Sequence, residues 1–178
     1  MTREIELRRH AAREKDADAL SPKGRAHAEQ VGRSLPADYA AIFVSPARRA
    51  SETVAWFLRG SGQPLPDHAV VPGLSSEVED RWRAAGKGAG SPRLDAIQAQ
   101  DPELVAEESA RLAATVAELI DGVPDGGRAL AVGHTPLIEA AVFGLTGAIV
   151  EPVGECEGVA LARDEQGAYR IRELRGRR

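Results

Sequence analysis

Three short apolar stretches, each cut off by polar residues, constrain this chain more than any other feature. Residues 3–9 (REIELRR) alternate Ile5 and Leu7 with polar neighbours, residues 39–45 (YAAIFVS) form a compact run that stops at Ser45-Pro46, and residues 128–134 (RALAVGH) form a third. All have strand length. Segments with helical spacing follow them. Ser21-Pro22 reads as a helix N-cap and a first-turn proline, opening a helix that runs to about Leu35. Ala47, Ala50, Val54, Phe57 and Leu58 recur on one helical face, and residues 60–66 end that helix. Leu104, Leu112, Val116, Leu119 and Ile120 mark a helix over 103–121, and TPLIEAAVFGL places Pro136 in the first turn of another. The tail, GVALARDEQGAYRIREL, predicts a hairpin turning at residues 164–167. Strands alternating with helices predict an α/β fold: a three-layer α/β/α sandwich with a mainly parallel central sheet.

Residues 67–102 interrupt this alternation. They contain EVEDRWRAAGKGAGSP, charged and then glycine-rich, which predicts a mobile excursion or lid on a single domain spanning 1–178. Aromatic residues make up only 4 % of the chain, so Ala, Val, Leu and Ile must build the core. The net charge of −4 gives no general attraction to nucleic acid or acidic membranes. No apolar run approaches the roughly 20 residues of a membrane span. The start, MTREIELRRH, lacks the apolar core of a secretory signal, and the single Cys156 cannot form an internal disulfide. A cytoplasmic location is the default expectation. Nothing in the pattern sets an oligomeric state.

The polar residues cluster at the ends of the three strands. The first ends at Arg9-His10, the second at Ser45-Pro46 with Arg48 and Arg49 in the next helical turn, and the third at Gly133-His134. Ligands of open parallel sheets bind at the carboxyl ends of strands. Helix N-termini at that edge add N–H groups and a positive dipole end, which suit an anion. A surface histidine gains nothing from the positive charge around His10 in ELRRHAAREKD, whereas a histidine that handles a phosphate gains a great deal.

With those residues in place, the sequence resembles the histidine phosphatase superfamily, with its phosphoglycerate-mutase-like fold. Arg9-His10 matches the Arg-His-Gly motif, and LSPKG (residues 20–24) resembles Leu-Thr-x-x-Gly. SPARRASET (45–53) resembles Ser-Pro-x-x-Arg-Ala-x-x-Thr and places the motif arginine at Arg49; VGHTP (132–136) resembles the second-histidine motif. Two departures stand out. Ala11 replaces the motif glycine, which it can do if φ is negative there. Glu4, Glu6 and Arg8 are polar for a strand covered on both faces. The overall size is closer to the small bacterial protein-phosphohistidine phosphatases and compact phosphomonoesterases than to a mutase.

The resemblance implies a division of labour. His10 is the nucleophile, and the neighbouring guanidinium groups keep it neutral. Arg9 and Arg49 clamp the phosphate with planar, bidentate donors. His134 contacts the phosphoryl oxygens. Arg13 and Ser21 are further candidate substrate contacts, Ser21 competing with its role as a cap. Arg8 alternates to the other side of the strand and is structural. The proton donor falls in LSSEVEDRW, at Glu77 or Glu79, with Glu77 preferred on position. Trp82 either packs or walls the substrate. Cys156, between two glutamates, is a poor nucleophile. No metal or other cofactor is implied.

The leading function is therefore metal-independent hydrolysis of a phosphomonoester or of protein phosphohistidine. The alternatives are a phosphoglycerate-mutase-type phosphotransferase and a phosphate-binding regulatory module that has lost turnover. A short excursion implies an open pocket that tolerates bulky substrates. The expected partner is a phosphate-containing small molecule or phosphoprotein, with neither nucleic acid nor membrane.

Overall fold

Alternation along the first strand, β1 (Arg3–Arg9), sorts its side chains between two faces. The computed structural model describes residues 2–64 and 67–176. The remaining strands are β2 (Tyr39–Val44), β3 (Ala69–Val70), β4 (Arg128–Gly133), β5 (Gly158–Arg163) and β6 (Tyr169–Leu174). They form a six-stranded sheet in the order β3-β2-β4-β1-β5-β6. The first four in that order pair in parallel. β5 runs antiparallel to β1, and β6 returns antiparallel to β5 as the predicted hairpin.

Helices α1 (Pro22–Gly32) and α2 (Arg48–Ser61) cover one face, where Phe57 and Val54 meet Ile42, Val44 and Leu130. A Cβ at Gly32 would lie 2.1 Å from the Phe57 carbonyl oxygen, so α1 and α2 cross in close contact there. The opposite face carries α5 (Pro102–Asp121) and α6 (Leu137–Thr146), whose Leu112, Val116 and Val142 pack with Ile5 and Leu7. The sandwich is three-layered, as the alternation predicts.

Helix ends differ slightly from expectation. α1 stops at Gly32, and Arg33, Ser34 and Leu35 each bond three residues back instead. Leu35 precedes Pro36, which disfavours helical geometry. α2 stops at Ser61 with Gly62 left-handed at φ 71°. Of the predicted stop, Leu65 and Pro66 lie outside the described residues.

The 67–102 excursion is a folded wall. After β3 and a 3-10 turn at Pro72–Leu74 come α3 (Glu79–Ala89) and α4 (Leu94–Gln100). Glu79 and Asp80 occupy the first turn of α3, where the helix dipole favours acids, and the glycine-rich stretch is its last turn with Gly90 as left-handed cap. Arg81 makes a two-pronged pair with Asp101 at 2.6 and 2.7 Å. Trp82 is buried and donates to Glu108 of α5 at 3.3 Å. Arg93 pairs with Glu151 in the segment before β5.

The polar face of β1 is satisfied internally. Glu6 pairs with Arg8 at 2.8 Å and accepts from the Tyr39 hydroxyl at 3.0 Å. Arg8 also donates to the Cys156 carbonyl at 3.0 Å, and Glu4 pairs with Arg128 at 2.7 Å. Removing either member of the buried Glu6–Arg8 pair would leave an uncompensated charge, a cost of about 3–5 kcal/mol. Over β5 and β6 this face opens into a groove bordered by Arg8, His27, Gln30, Ser34 and Arg175.

Gly24 fixes how the loop after β1 meets α1. A Cβ there would sit 2.0 Å from the Ala12 carbonyl oxygen. Gly24→Ala should therefore destabilise the fold by about 1–3 kcal/mol despite alanine's better helix propensity. Thermal melting should show a drop of several degrees; an unchanged or raised Tm would contradict the close approach.

Candidate active site

The sheet delivers the two histidines together. Arg9 lies opposite Gly133 in the parallel β1–β4 register, and the His10 N–H bonds the Gly133 carbonyl at 3.1 Å. His10 and His134 leave the sheet side by side, with ring centroids 5.2 Å apart. Val44 lies opposite Val132, and the Ser45 N–H bonds the Val132 carbonyl at 3.1 Å, bringing Ser45 to the other side of His134.

Hydrogen bonds set the state of each ring. His10 Nδ1 is 2.7 Å from the Ala11 carbonyl oxygen. That oxygen can only accept, so Nδ1 carries the proton and the neutral ring leaves its Nε2 lone pair free. Arg49 Nη2 donates to His134 Nδ1 at 3.1 Å, so neutral His134 carries its proton on Nε2, which donates to Ser45 Oγ at 2.7 Å. His10 is lowered from 6.5 to about 4 by burial and by Arg49, Arg9 and Arg13, against the Ala11 bond. Burial is the largest cause, ahead of the guanidinium groups to which sequence reasoning gave the whole effect. His134 is lowered to about 3 by burial, then by Arg49 and His10.

The guanidinium groups are anchored at one end. Arg9 Nη1 donates to the Val153 carbonyl at 3.1 Å. Arg49 Nη1 donates to Asp18 Oδ1 at 2.7 Å. The Nε atoms of both arginines are buried with no hydrogen-bond partner among the described residues. Two buried cationic donors of this kind fit an oxyanion. Arg9 and Arg49 border a cavity of about 240 Å3 that is also lined by His10, His134, Glu79 and Trp82.

Asp18 corrects one expectation. It accepts from the backbone N–H of Arg48 at 2.8 Å and of Arg49 at 3.4 Å, so the α2 N-terminus serves this carboxylate rather than a ligand. Burial opposes its charge, but the Arg49 side chain and these two N–H groups hold the Asp18 carboxyl below its ordinary value. The positive field of the site comes from guanidinium groups. Thr53 ties α2 to the loop after β1, accepting from Ala11 N–H at 3.0 Å and donating to the Arg49 carbonyl at 2.7 Å. Cys156 is the only non-glycine with positive φ among the described residues, so Ala11 sits in ordinary backbone.

The other predicted residues divide. Both glutamates are exposed, but Glu79, the first residue of α3, lines the cavity and Glu77 does not. Ser21 caps α1, accepting from Gly24 N–H at 3.0 Å and donating to the Ala12 carbonyl at 3.2 Å; it is not among the lining residues. Arg13 is exposed, reaches the Lys15 carbonyl at 3.4 Å and lies outside the lining, although its charge contributes to lowering His10. Arg48 points to Glu52 at 2.7 Å. Burial and then Glu155 push the Cys156 thiol up to about 12. Asp18 and Ser45 are the parts of the site whose roles sequence reasoning missed. Asp18 is one of several acids in a polar loop, with no pattern to single it out. Ser45 was visible as a strand end within the SPARRASET element. Among the described residues no group of three or more His, Cys, Asp or Glu side chains is disposed to hold a metal ion, and no helix is long and apolar enough to cross a membrane.

A family model described as Histidine phosphatase superfamily (branch 1) matches residues 4–157. Comparison with curated protein sequences gave no match. Among solved structures, the chain is similar to a phosphoglycerate mutase from Bacillus anthracis str. Sterne, with TM-score 0.72 and 21 % identity over 97 % of this chain and 92 % of that one. It is similar to the protein histidine phosphatase SixA complexed with tungstate, with TM-score 0.61 and 20 % identity over 96 % of each chain. A phosphoserine phosphatase from Entamoeba histolytica, in complex with 3-phosphoglyceric acid, gives TM-score 0.69 and 15 % identity over 97 % of each chain. At these identities the likeness is one of fold.

The lowered histidines predict how stability depends on pH. The unfolded chain takes up protons near pH 6.5 that the folded chain refuses until about pH 4 at His10 and about pH 3 at His134. Their neutral burial is therefore free of penalty above pH 6.5, and stability is lost as pH falls from there toward 4. Melting curves between pH 7.5 and 5 should show a smaller loss of Tm in His134→Gln than in the wild type. Equal losses would count against a neutral, buried His134.

Proposed function

This chain belongs to the histidine phosphatase superfamily, and from that premise we propose that it hydrolyses a phosphomonoester or a protein phosphohistidine through a phosphohistidine intermediate on His10, without a metal. The observation that carries this reading is the pairing of a bare His10 Nε2 with two buried, unpartnered arginine Nε donors. The solved neighbours include phosphatases and a mutase, which supports an enzyme acting on phosphate-containing substrates.

In this mechanism Arg9 and Arg49 hold the equatorial phosphoryl oxygens, neutralising charge as it spreads over them. His10 Nε2 attacks phosphorus in line, and the bond from phosphorus to the leaving oxygen breaks. Glu79 gives that oxygen its proton. Water then attacks phospho-His10, Glu79 takes up the water proton, the P–N bond breaks, and inorganic phosphate leaves with His10 regenerated. His134 steadies Arg49 through Nδ1, and Ser45 steadies His134. Contact between His134 and a phosphoryl oxygen requires Nε2–H to exchange Ser45 Oγ for the ligand.

The test is hydrolysis of p-nitrophenyl phosphate in the presence of EDTA. The wild type should turn over, and His10→Ala should fall to background. Arg49→Lys keeps the charge but loses the fork, and should cost about a hundred-fold or more in kcat. Glu79→Gln should cost about a hundred-fold on an alkyl phosphate. Its effect on p-nitrophenyl phosphate should be far smaller, because that leaving group departs unprotonated. Turnover that survives in His10→Ala, or that EDTA abolishes, would sink the mechanism.

A further inference from the structure

Beside the phosphate site lies a second cavity, of about 550 Å3. The two share Arg9, Trp82, Thr135 and Pro136. A molecule whose phosphate is held at His10 therefore reaches the second cavity with its leaving group. Gly86 of α3, Gly90, Ser91 and Ile97 of α4 form one side, and Pro152 and Val153 form the other. The Arg93–Glu151 pair joins the two sides. Most of this lining is apolar.

Glu139 is the one acidic residue of this lining. It is 1 % exposed, yet it lines this cavity. Its Oε1 accepts from the Val153 N–H at 2.8 Å. Its Oε2 is buried and has no hydrogen-bond partner among the described residues. Burial raises the Glu139 carboxyl above its ordinary value, opposed by the backbone N–H groups of Val153 and of Glu139 itself and by the charges of Arg9 and Arg175. A buried carboxyl oxygen without a partner is costly, and an incoming donor relieves that cost.

We propose that this cavity holds the leaving group of a small phosphorylated molecule, and that Glu139 Oε2 accepts a hydrogen bond from an amine or hydroxyl on that group. The proposal rests on the phosphatase reading of the His10 site and narrows its substrate class. Arg9 at the shared border takes the phosphate while Glu139 takes the donor, so the two charged residues read opposite ends of one molecule.

Phosphonates test this without turnover, because their C–P bond resists hydrolysis. Aminopropylphosphonate, hydroxypropylphosphonate and butylphosphonate have nearly the same size and differ in their terminal group. Titration calorimetry should show the full chain binding the amine or the hydroxyl compound about ten-fold or more tighter than butylphosphonate, the scale of one hydrogen bond to a charged group. A preference for the amine identifies an ionic partner, and a preference for the hydroxyl a neutral one. Glu139→Gln keeps an amide oxygen for the Val153 N–H but puts an NH2 donor in place of Oε2, and should erase a preference for the amine; Glu139→Met, with no polar group at that place, should erase a preference for the hydroxyl. Equal binding by the wild type, or a preference that survives in the corresponding variant, overturns the proposal. If p-nitrophenyl phosphate is hydrolysed but butylphosphonate binds as well as the others, the pocket reading falls and the phosphatase reading stands. If the preference is present and Glu139-dependent but no phosphomonoester is turned over, the outcome is reversed.

Discussion

The pairing of β1 with β4 is the constraint on which the site depends. Because the two strands are parallel and Arg9 lies opposite Gly133, His10 and His134 emerge at one level of one sheet edge. The His10 N–H extends the ladder a further step to the Gly133 carbonyl. A slip of one residue would exchange the faces of β1, sending Ile5 and Leu7 away from α5 and α6 and Glu6 and Arg8 into their place. The apolar core thus enforces the register, and the register places the chemistry. β2 adds to this through β4, which holds Ser45 against the far side of His134.

Two adjacent arginines illustrate how the strand separates structure from chemistry. Arg8 faces Glu6 and the Cys156 carbonyl, where its charge is matched within the fold. Arg9 faces the cavities, anchored only to the Val153 carbonyl. Arg49 is held from both sides, by Asp18 and by His134. Each clamp arginine is fixed in position by its Nη groups, while its Nε stays uncommitted. An imidazole buried among such cations stays neutral, and a neutral imidazole with Nδ1 tied to Ala11 has its Nε2 lone pair oriented by the backbone, the state that the proposed nucleophilic role requires.

What the sequence made legible follows from this geometry. Arg9, His10, Arg49 and His134 sit at strand ends or one turn beyond, so identifying the strands located them. Asp18, Glu79 and Glu139 act through loops and helix starts whose directions depend on tertiary contacts, and a linear reading could not orient them. Glu77 was preferred over Glu79 because the start of α3 was hidden. The glycines of the 86–90 stretch suggested a loop, yet Trp82, Ala85 and Ala89 recur at helical spacing and pack into the core. Docking of α3 against α4, with Trp82 bonded to Glu108 of α5, outweighs poor propensity there. The polar face of β1 had no explanation until Glu6, Arg8 and Tyr39 were seen to satisfy one another.

Strand ends and excursion contribute different things to the site. The strand ends are held by the hydrogen-bonded ladder, which leaves the reacting groups little freedom. The excursion is held by side-chain links: Arg81 to Asp101, Trp82 to Glu108 and Arg93 to Glu151. Exposed ion pairs are individually weak, but Asp101 also caps α5 through the Leu104 N–H at 3.0 Å, so one carboxylate joins the wall to the start of a core helix. Glu139 plays a similar part on the other side. Its Oε1 holds the Val153 N–H and the Val153 carbonyl holds Arg9, so a single residue, Val153, connects the lining of the larger cavity to Arg9. A leaving group that engages Glu139 therefore acts on the same loop that positions Arg9, which couples recognition of the leaving group to the placement of the charge that stabilises its departure.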